Sequence, residues 1–254
     1  MKRLLYVMGG GVSSVGKDGA SLLVQVEGEA DRRYPFRLLA RVILRGDTRI
    51  HAAAIWGLMD AGVPVSLQSR SGNPCGFIVP FRPRSGRAQE NLECLLERAD
   101  GRSRCTDWLR ARERFEILRA LGASRWEMPD LRPAAVEAQV RERASNALNA
   151  AATQRRGNVL AEVVEAMTEA GFVPGHLVSL EKELGILGGM TRLLLWDWWF
   201  RESTQDRAGA RQETIGEWDA VRCQERNRVV HLVLQFTNWL REVEWRATSD
   251  MHGW

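Results

Sequence analysis

Apolar and polar positions follow one rhythm up to about residue 80 and another beyond it. In the first part, short apolar runs at 4–7, 21–26, 41–44 and 65–67 are separated by glycine-rich or polar turns, the pattern of β-strands. Lys17-Asp18-Gly19 and Ser69-Arg70-Ser71-Gly72 read as turns, and 75–80 as a final strand. Thr48 is placed to cap a helix over 50–61, which Gly62-Val63-Pro64 ends. After Pro83 the period changes to that of amphipathic helices, predicted at 88–99, 107–121, 134–152, 159–170, 177–200 and 213–246. Pro129, Pro133, Gly171 and Pro174 punctuate these stretches, and Gly185 and Gly188-Gly189 predict a bend. The expected class is α+β: a small amino-terminal β domain (1–80), a linker (81–87) and a larger all-α domain (88–254).

Composition narrows the class without naming a function. A hydrophobic fraction of 44% suits a globular chain, and no apolar run reaches the roughly 18 residues that span a bilayer. With no signal-peptide pattern at the start, the expected location is cytoplasmic, without a membrane partner. Cys75, Cys94, Cys105 and Cys223 are scattered, which argues against a zinc site or a disulfide framework and for ordinary thiols. Net charge is only +4, yet Lys2, Lys17 and Lys182 are the sole lysines, so arginine carries almost all the basic charge. Arginine forks onto phosphate and stacks on bases, which fits a nucleic-acid partner; a GC-rich genome produces the same bias. Gly11, Gly16 and Lys17 match part of a phosphate-loop spacing, but Asp18 stands where a hydroxyl is required, so the segment is read as a hairpin turn. Of ten tryptophans, seven follow residue 195; Trp196 and Trp199 share a helix face, suited to core packing, an interface or base stacking.

The first 80 residues resemble the amino-terminal domain of the CRISPR-associated adaptation integrase family (Cas-one). The resemblance is carried by the opening Leu-Tyr-Val strand, the Lys17-Asp18-Gly19 turn and Pro35-Phe36-Arg37-Leu38. It continues through Val42, Leu44 and Gly46, then Gly62-Val63-Pro64-Val65 and Ser69-Arg70-Ser71-Gly72, in family order and spacing. The helical part is similar in Gln89, in Asn146-Ala147-Leu148-Asn149, and in the turn Gly171-Phe172-Val173-Pro174-Gly175. The resemblance implies a metal-dependent DNA endonuclease or integrase of spacer acquisition. It also implies a homodimer joined through the β domain, with a Cas-two-like partner or a larger CRISPR complex around it.

In that family a glutamate, a histidine and an aspartate of the α domain hold one Mg or Mn ion, which stabilises charge on the scissile phosphate. The candidates for catalysis and metal ligation here are Glu137, His176 and Asp197. The Ile-Glu-Gly-x-x-Ala motif is missing, His176 follows Pro174 by only two residues, and Phe200 replaces the second acid after Asp197. Each lost carboxylate removes charge that offsets dehydration of the ion, so the expected site is degenerate and its metal is expected to be absent. Arg82, Arg84 and Arg87 after the β domain, and Arg222, Arg226 and Arg228 before the apolar run at 229–234, are the candidate nucleic-acid contacts. Two competing expectations are a catalytically inactive scaffold subunit of a larger CRISPR complex and an unrelated α+β binding module.

Overall fold

The fold was obtained as a computed structural model, which describes residues 2–80, 87–122, 128, 130–205 and 215–251. The chain divides into two compact units, one of Met1–Arg82 with Thr153–Gly157 and Glu213–Val221, the other of Pro83–Ala152, Asn158–Gln212 and Arg222–Trp254. A β-sheet region precedes a helical one, as the change of period predicts.

In the first unit, β1 (Arg3–Met8), β5 (Leu39–Arg45), β6 (Val65–Gln68) and β7 (Pro74–Ile78) form a four-stranded sheet in the order β1-β5-β6-β7. β5 is parallel to both neighbours, and β7 closes the edge antiparallel to β6. Parallel strands need long crossovers. Here β1 reaches β5 by way of a second, antiparallel sheet of β2 (Val12–Asp18), β3 (Ser21–Val26) and β4 (Arg32–Pro35), and β5 reaches β6 through α1 (Ala52–Asp60). Arg41, Val42, Ile43 and Leu44 of β5 are consecutive buried positions, as befits a strand covered on both faces. Val7, Val42, Leu44 and Val65 of the first sheet, Val15, Leu22 and Val24 of the second, and Ala54 and Leu58 of α1 share one apolar core. Each such side chain contributes about 1.5–3 kcal/mol when fully buried.

Two strands escape the apolar pattern. β2 reads Val-Ser-Ser-Val-Gly-Lys-Asp and β4 Arg-Arg-Tyr-Pro, and it is pairing with β3 that holds both extended. Gly16 and Lys17 lie inside β2, paired with Leu23 and Leu22, and Gly19 (φ +57°) turns the chain, so the apparent phosphate loop is a hairpin. Thr48 does not cap α1: His51 is its N-cap, without a side-chain hydrogen bond, and the Thr48 hydroxyl donates to the Arg45 carbonyl at 3.4 Å.

The second unit is helical, with α2 (Ala88–Glu97), α3 (Gly101–Gly122), α4 (Pro133–Arg143), α5 (Asn146–Glu169), α6 (Pro174–Leu184), α7 (Ile186–Gln205) and α8 (Ile215–Met251). α5 also threads residues 153–157 into the first unit. The single helix expected over 134–152 is two, because Ser145 breaks away and caps α5, its hydroxyl accepting from the Leu148 amide at 3.1 Å. Without a further breaker, α5 runs on to Glu169. Gly185 (φ +61°) ends α6 in the left-handed conformation, and Pro174 opens α6 at its first turn, where a missing N–H costs nothing. Trp196, Trp198, Trp199 and Phe200 of α7 are all buried in a core with Ile117, Val136, Val140 and Leu148. Those three tryptophans are therefore packing residues, not a base-stacking or docking surface. No described helix is long and apolar enough to cross a membrane.

Cys105 on α3 is fully buried, whereas Cys75 and Cys94 are exposed; these three cysteines are free thiols. Burial pushes the Cys105 thiol up to about 11. Since the unfolded thiol ionises near 9, stability is lost as pH rises from about 9 to about 11. At pH 8, alkylation mapped by peptide mass is expected to mark Cys75 and Cys94 and to spare Cys105 until the fold is opened; equal labelling of all three would refute this packing.

Candidate active site

α3 and α7 exchange opposite charges along their contact. Positions 191–200 of α7 are buried except for the half-buried Arg192 and Asp197, which turn to α3. The Arg192 Nε donates to Glu113 Oε1 at 2.8 Å, with Glu113 only 4% exposed. Burial pulls the Arg192 guanidinium down, but the bond and charge of Glu113 outweigh it and hold the group above its ordinary value. Asp197 lies 3.9 Å from Arg119 of α3 and 3.6 Å from Arg201 on its own helix.

His176 sits in the first turn of α6, where its Nδ1 is 2.7 Å from Gln89 Nε2 and 3.0 Å from Glu93 Oε1, both on α2. The Gln89 carbonyl in turn accepts from the Val173 amide at 3.3 Å, tying α2 to the turn that launches α6. This fixes the imidazole through Nδ1 and leaves Nε2 without a protein partner on an exposed side chain. Glu137 on α4 is engaged one turn along, Arg141 donating to it at 2.8 Å. The three candidates thus have separate partners, and among the described residues no three His, Cys, Asp or Glu side chains gather to hold a metal.

The candidate phosphate contacts divide. Arg82 and Arg84 lie outside the described residues, as does the side chain of Arg222. Arg87 is exposed at the N-cap of α2. Arg226 is not available to phosphate: its Nη1 bonds Glu162 at 2.9 Å, its Nη2 bonds Glu169 at 2.9 Å, and Glu165 stands 3.3 Å away. Burial lowers the affinity of this guanidinium for its proton, and the three carboxylates more than reverse that. The sequence placed Arg226 with the phosphate-contacting arginines, but its donors are spent inside the protein. Arg228 pairs with Glu225 at 3.4 Å and lines a cavity of about 200 Å³.

That cavity is the feature that motif reading passed over. α3 supplies Arg112, Glu116 and Arg119, α7 supplies Leu193 and Leu194, and α8 supplies Arg228, His231, Leu232 and Gln235. Steps of three and four place the α3 set and the α8 set each on one helix face, a signal present in the sequence but silent about which faces meet.

The sequence profile of the family CRISPR associated protein Cas1 matches residues 5–112. No curated protein matches in sequence. Among solved structures, a Cas1 protein from Thermotoga maritima superposes with a TM-score of 0.74 at 12% identity, covering 94% of this chain and 97% of that one. The complex of TtCas1 with DNA gives 0.64 at 14% identity, over 92% and 91%. A casposase bound to an integration product gives 0.62 at 14%, over 90% and 82%. These identities establish a shared fold, and the profile match adds a sequence signature across the β-rich part. Residues 5–112 carry the sequence signature of the CRISPR-associated Cas1 family, and the chain shares the fold of Cas1 proteins.

Proposed function

We propose that this protein binds DNA in CRISPR adaptation, the acquisition of spacers, and that its metal-dependent nuclease or integrase site is degenerate. The observation that carries the second half is the crowding of Asp197 by Arg119 and Arg201, at 3.9 and 3.6 Å. Near a protein surface, two like unit charges 4 Å apart repel by roughly 4 kcal/mol before salt screening. Each arginine therefore has to swing aside before a divalent ion can take that carboxylate. The first half is supported by the family-profile match over residues 5–112, by arginine-dominated basic charge, and by similarity to proteins solved with DNA. On this reading the protein acts as a homodimer joined through its β domain, beside a Cas-two-like partner.

The test is a binding and strand-transfer assay on branched DNA with Mn, using the wild type, Asp197→Ala and His176→Ala. Binding is expected to weaken by about 10³-fold or more as salt rises from about 50 to 200 mM if six or more phosphates are contacted. Strand cutting and joining are expected to be absent, and both variants to bind DNA within about twofold of wild type. Mn-dependent joining that disappears in either variant would overturn the degenerate site. A wild type that binds no DNA would transfer the protein to the scaffold role in a larger CRISPR complex.

A further inference from the structure

The cavity between α3, α7 and α8 has an apolar floor of Leu193, Leu194 and Leu232, exposed by no more than 6%. Its polar rim carries Arg112, Arg119, Arg228, His231 and Gln235 against a single carboxylate, Glu116. The rim charges are not equivalent. Arg119 is held by Glu116 at 2.9 Å and lies near Asp197, and Arg228 is held by Glu225. Arg112 has no acidic partner among the described residues. Its Nη2 donates to the Gln235 carbonyl, its guanidinium stands 5.5 Å over the Phe115 ring, and its buried Nε–H meets no acceptor in the protein. Gln235 is braced from the other side by His231 Nε2 at 2.7 Å.

A guanidinium positioned this way brings a charge without an acidic partner to the lining of a half-open cavity. An anion seated in the cavity supplies the counter-charge that the protein does not, through charge-assisted hydrogen bonds. The group that matches is compact, multiply anionic and ringed with acceptor oxygens, and Arg recognises it through its fork. A volume of about 200 Å³ admits a phosphate.

We propose that this pocket is a phosphate-binding site with Arg112 as its principal ligand-contacting residue, and Arg119, Arg228 and His231 around it. The phosphate comes either from a DNA strand or from a free anion. Only the first source rests on the DNA-handling reading above.

Titration calorimetry of the full-length protein with inorganic phosphate tests the pocket. The wild type is expected to bind, Arg112→Gln to bind at least 10-fold more weakly with an unchanged urea midpoint, and Arg102→Gln, at the start of α3 and paired with Glu183, to bind like wild type. A wild type that takes up no phosphate, or an Arg112→Gln protein that binds it equally well, overturns the proposal. The source is decided with a short DNA duplex. Competition by inorganic phosphate, and loss of about one unit from the salt slope in Arg112→Gln, assign the pocket to a DNA phosphate. DNA affinity unmoved by either establishes a free-anion site and overturns the DNA source alone. A wild type that binds phosphate but no DNA leaves the pocket in place and removes the DNA-handling reading.

Discussion

Arg226→Ala is expected to lower unfolding stability by about 3 kcal/mol, the low end for breaking a buried ion pair by removing one partner. Glu162 has no exposed side-chain surface, whereas Arg226 retains 26%. The variant therefore takes a charge-assisted hydrogen bond from a fully buried carboxylate, while the guanidinium site itself can rehydrate. Glu162, Glu165 and Glu169 lie three and four residues apart on α5, so all three face the same point on α8. Arg226 serves Glu162 with one terminal nitrogen and Glu169 with the other. Arg226→Lys is expected to recover little, since an ammonium is a point charge without that fork. Glu162→Gln placed on Arg226→Ala is expected to recover part of the loss, because a neutral amide is far cheaper to bury than a carboxylate. Because the carboxylates raise the affinity of the folded guanidinium for its proton, the contact persists through the whole alkaline range in which the rest of the fold survives. Urea unfolding of the three variants checks this. A loss below about 1 kcal/mol for Arg226→Ala would mean that the cluster behaves as an ordinary surface pair.

The second large effect is expected at Gly101, the first residue of α3. A Cβ built there falls 1.8 Å from the Leu95 carbonyl oxygen and 2.7 Å from its carbon. That oxygen already accepts the Arg98 amide at 3.2 Å as α2 ends, so the obstacle is backbone tied into a helix terminus. Only movement of the α2–α3 turn can make room, and Gly101→Ala is expected to cost about 3 kcal/mol, the upper end for overpacking a close-packed site. Gly175→Ala provides the contrast, since nothing stands within 4 Å of the added methyl and the position lies in the first turn of α6. Its urea midpoint is expected to stay at or slightly above wild type, because alanine also narrows the unfolded ensemble. Equal midpoints for the two variants would show that the turn yields freely.

The Gly101 prediction bears on the candidate site, because α2 and α3 hold groups that surround it. If the α2–α3 turn shifts, so do Gln89 and Glu93 under His176, and Arg119 beside Asp197. A stability variant in this unit is therefore also expected to blur site geometry.

Much of the architecture was legible in local pattern. The change of period after residue 80 announces a β part and a helical part, since the two repeats reflect backbone geometry alone. Punctuation worked where the residue itself restricts the backbone: Gly185 stops α6, and Gly19 turns the β2–β3 hairpin. Pro174 opens α6, and the family resemblance read from the first 80 residues is matched by the profile over residues 5–112. Local reading failed where a partner strand did the work, as in β2 and β4, and where Ser145 outcompeted the helix it interrupts.

Charge partners were beyond its reach. Nothing local in Arg226 distinguishes it from Arg228, yet one is locked onto three carboxylates and the other lines a cavity. Nothing local in Asp197 foretells Arg119, which is far away in sequence and adjacent in space. The sequence by itself determined the order and type of most elements, because backbone sterics and hydrophobic period act over a few residues. Only the tertiary structure decided which arginines are spent on acids and which face open space, because ion pairing depends on distances set by helix packing.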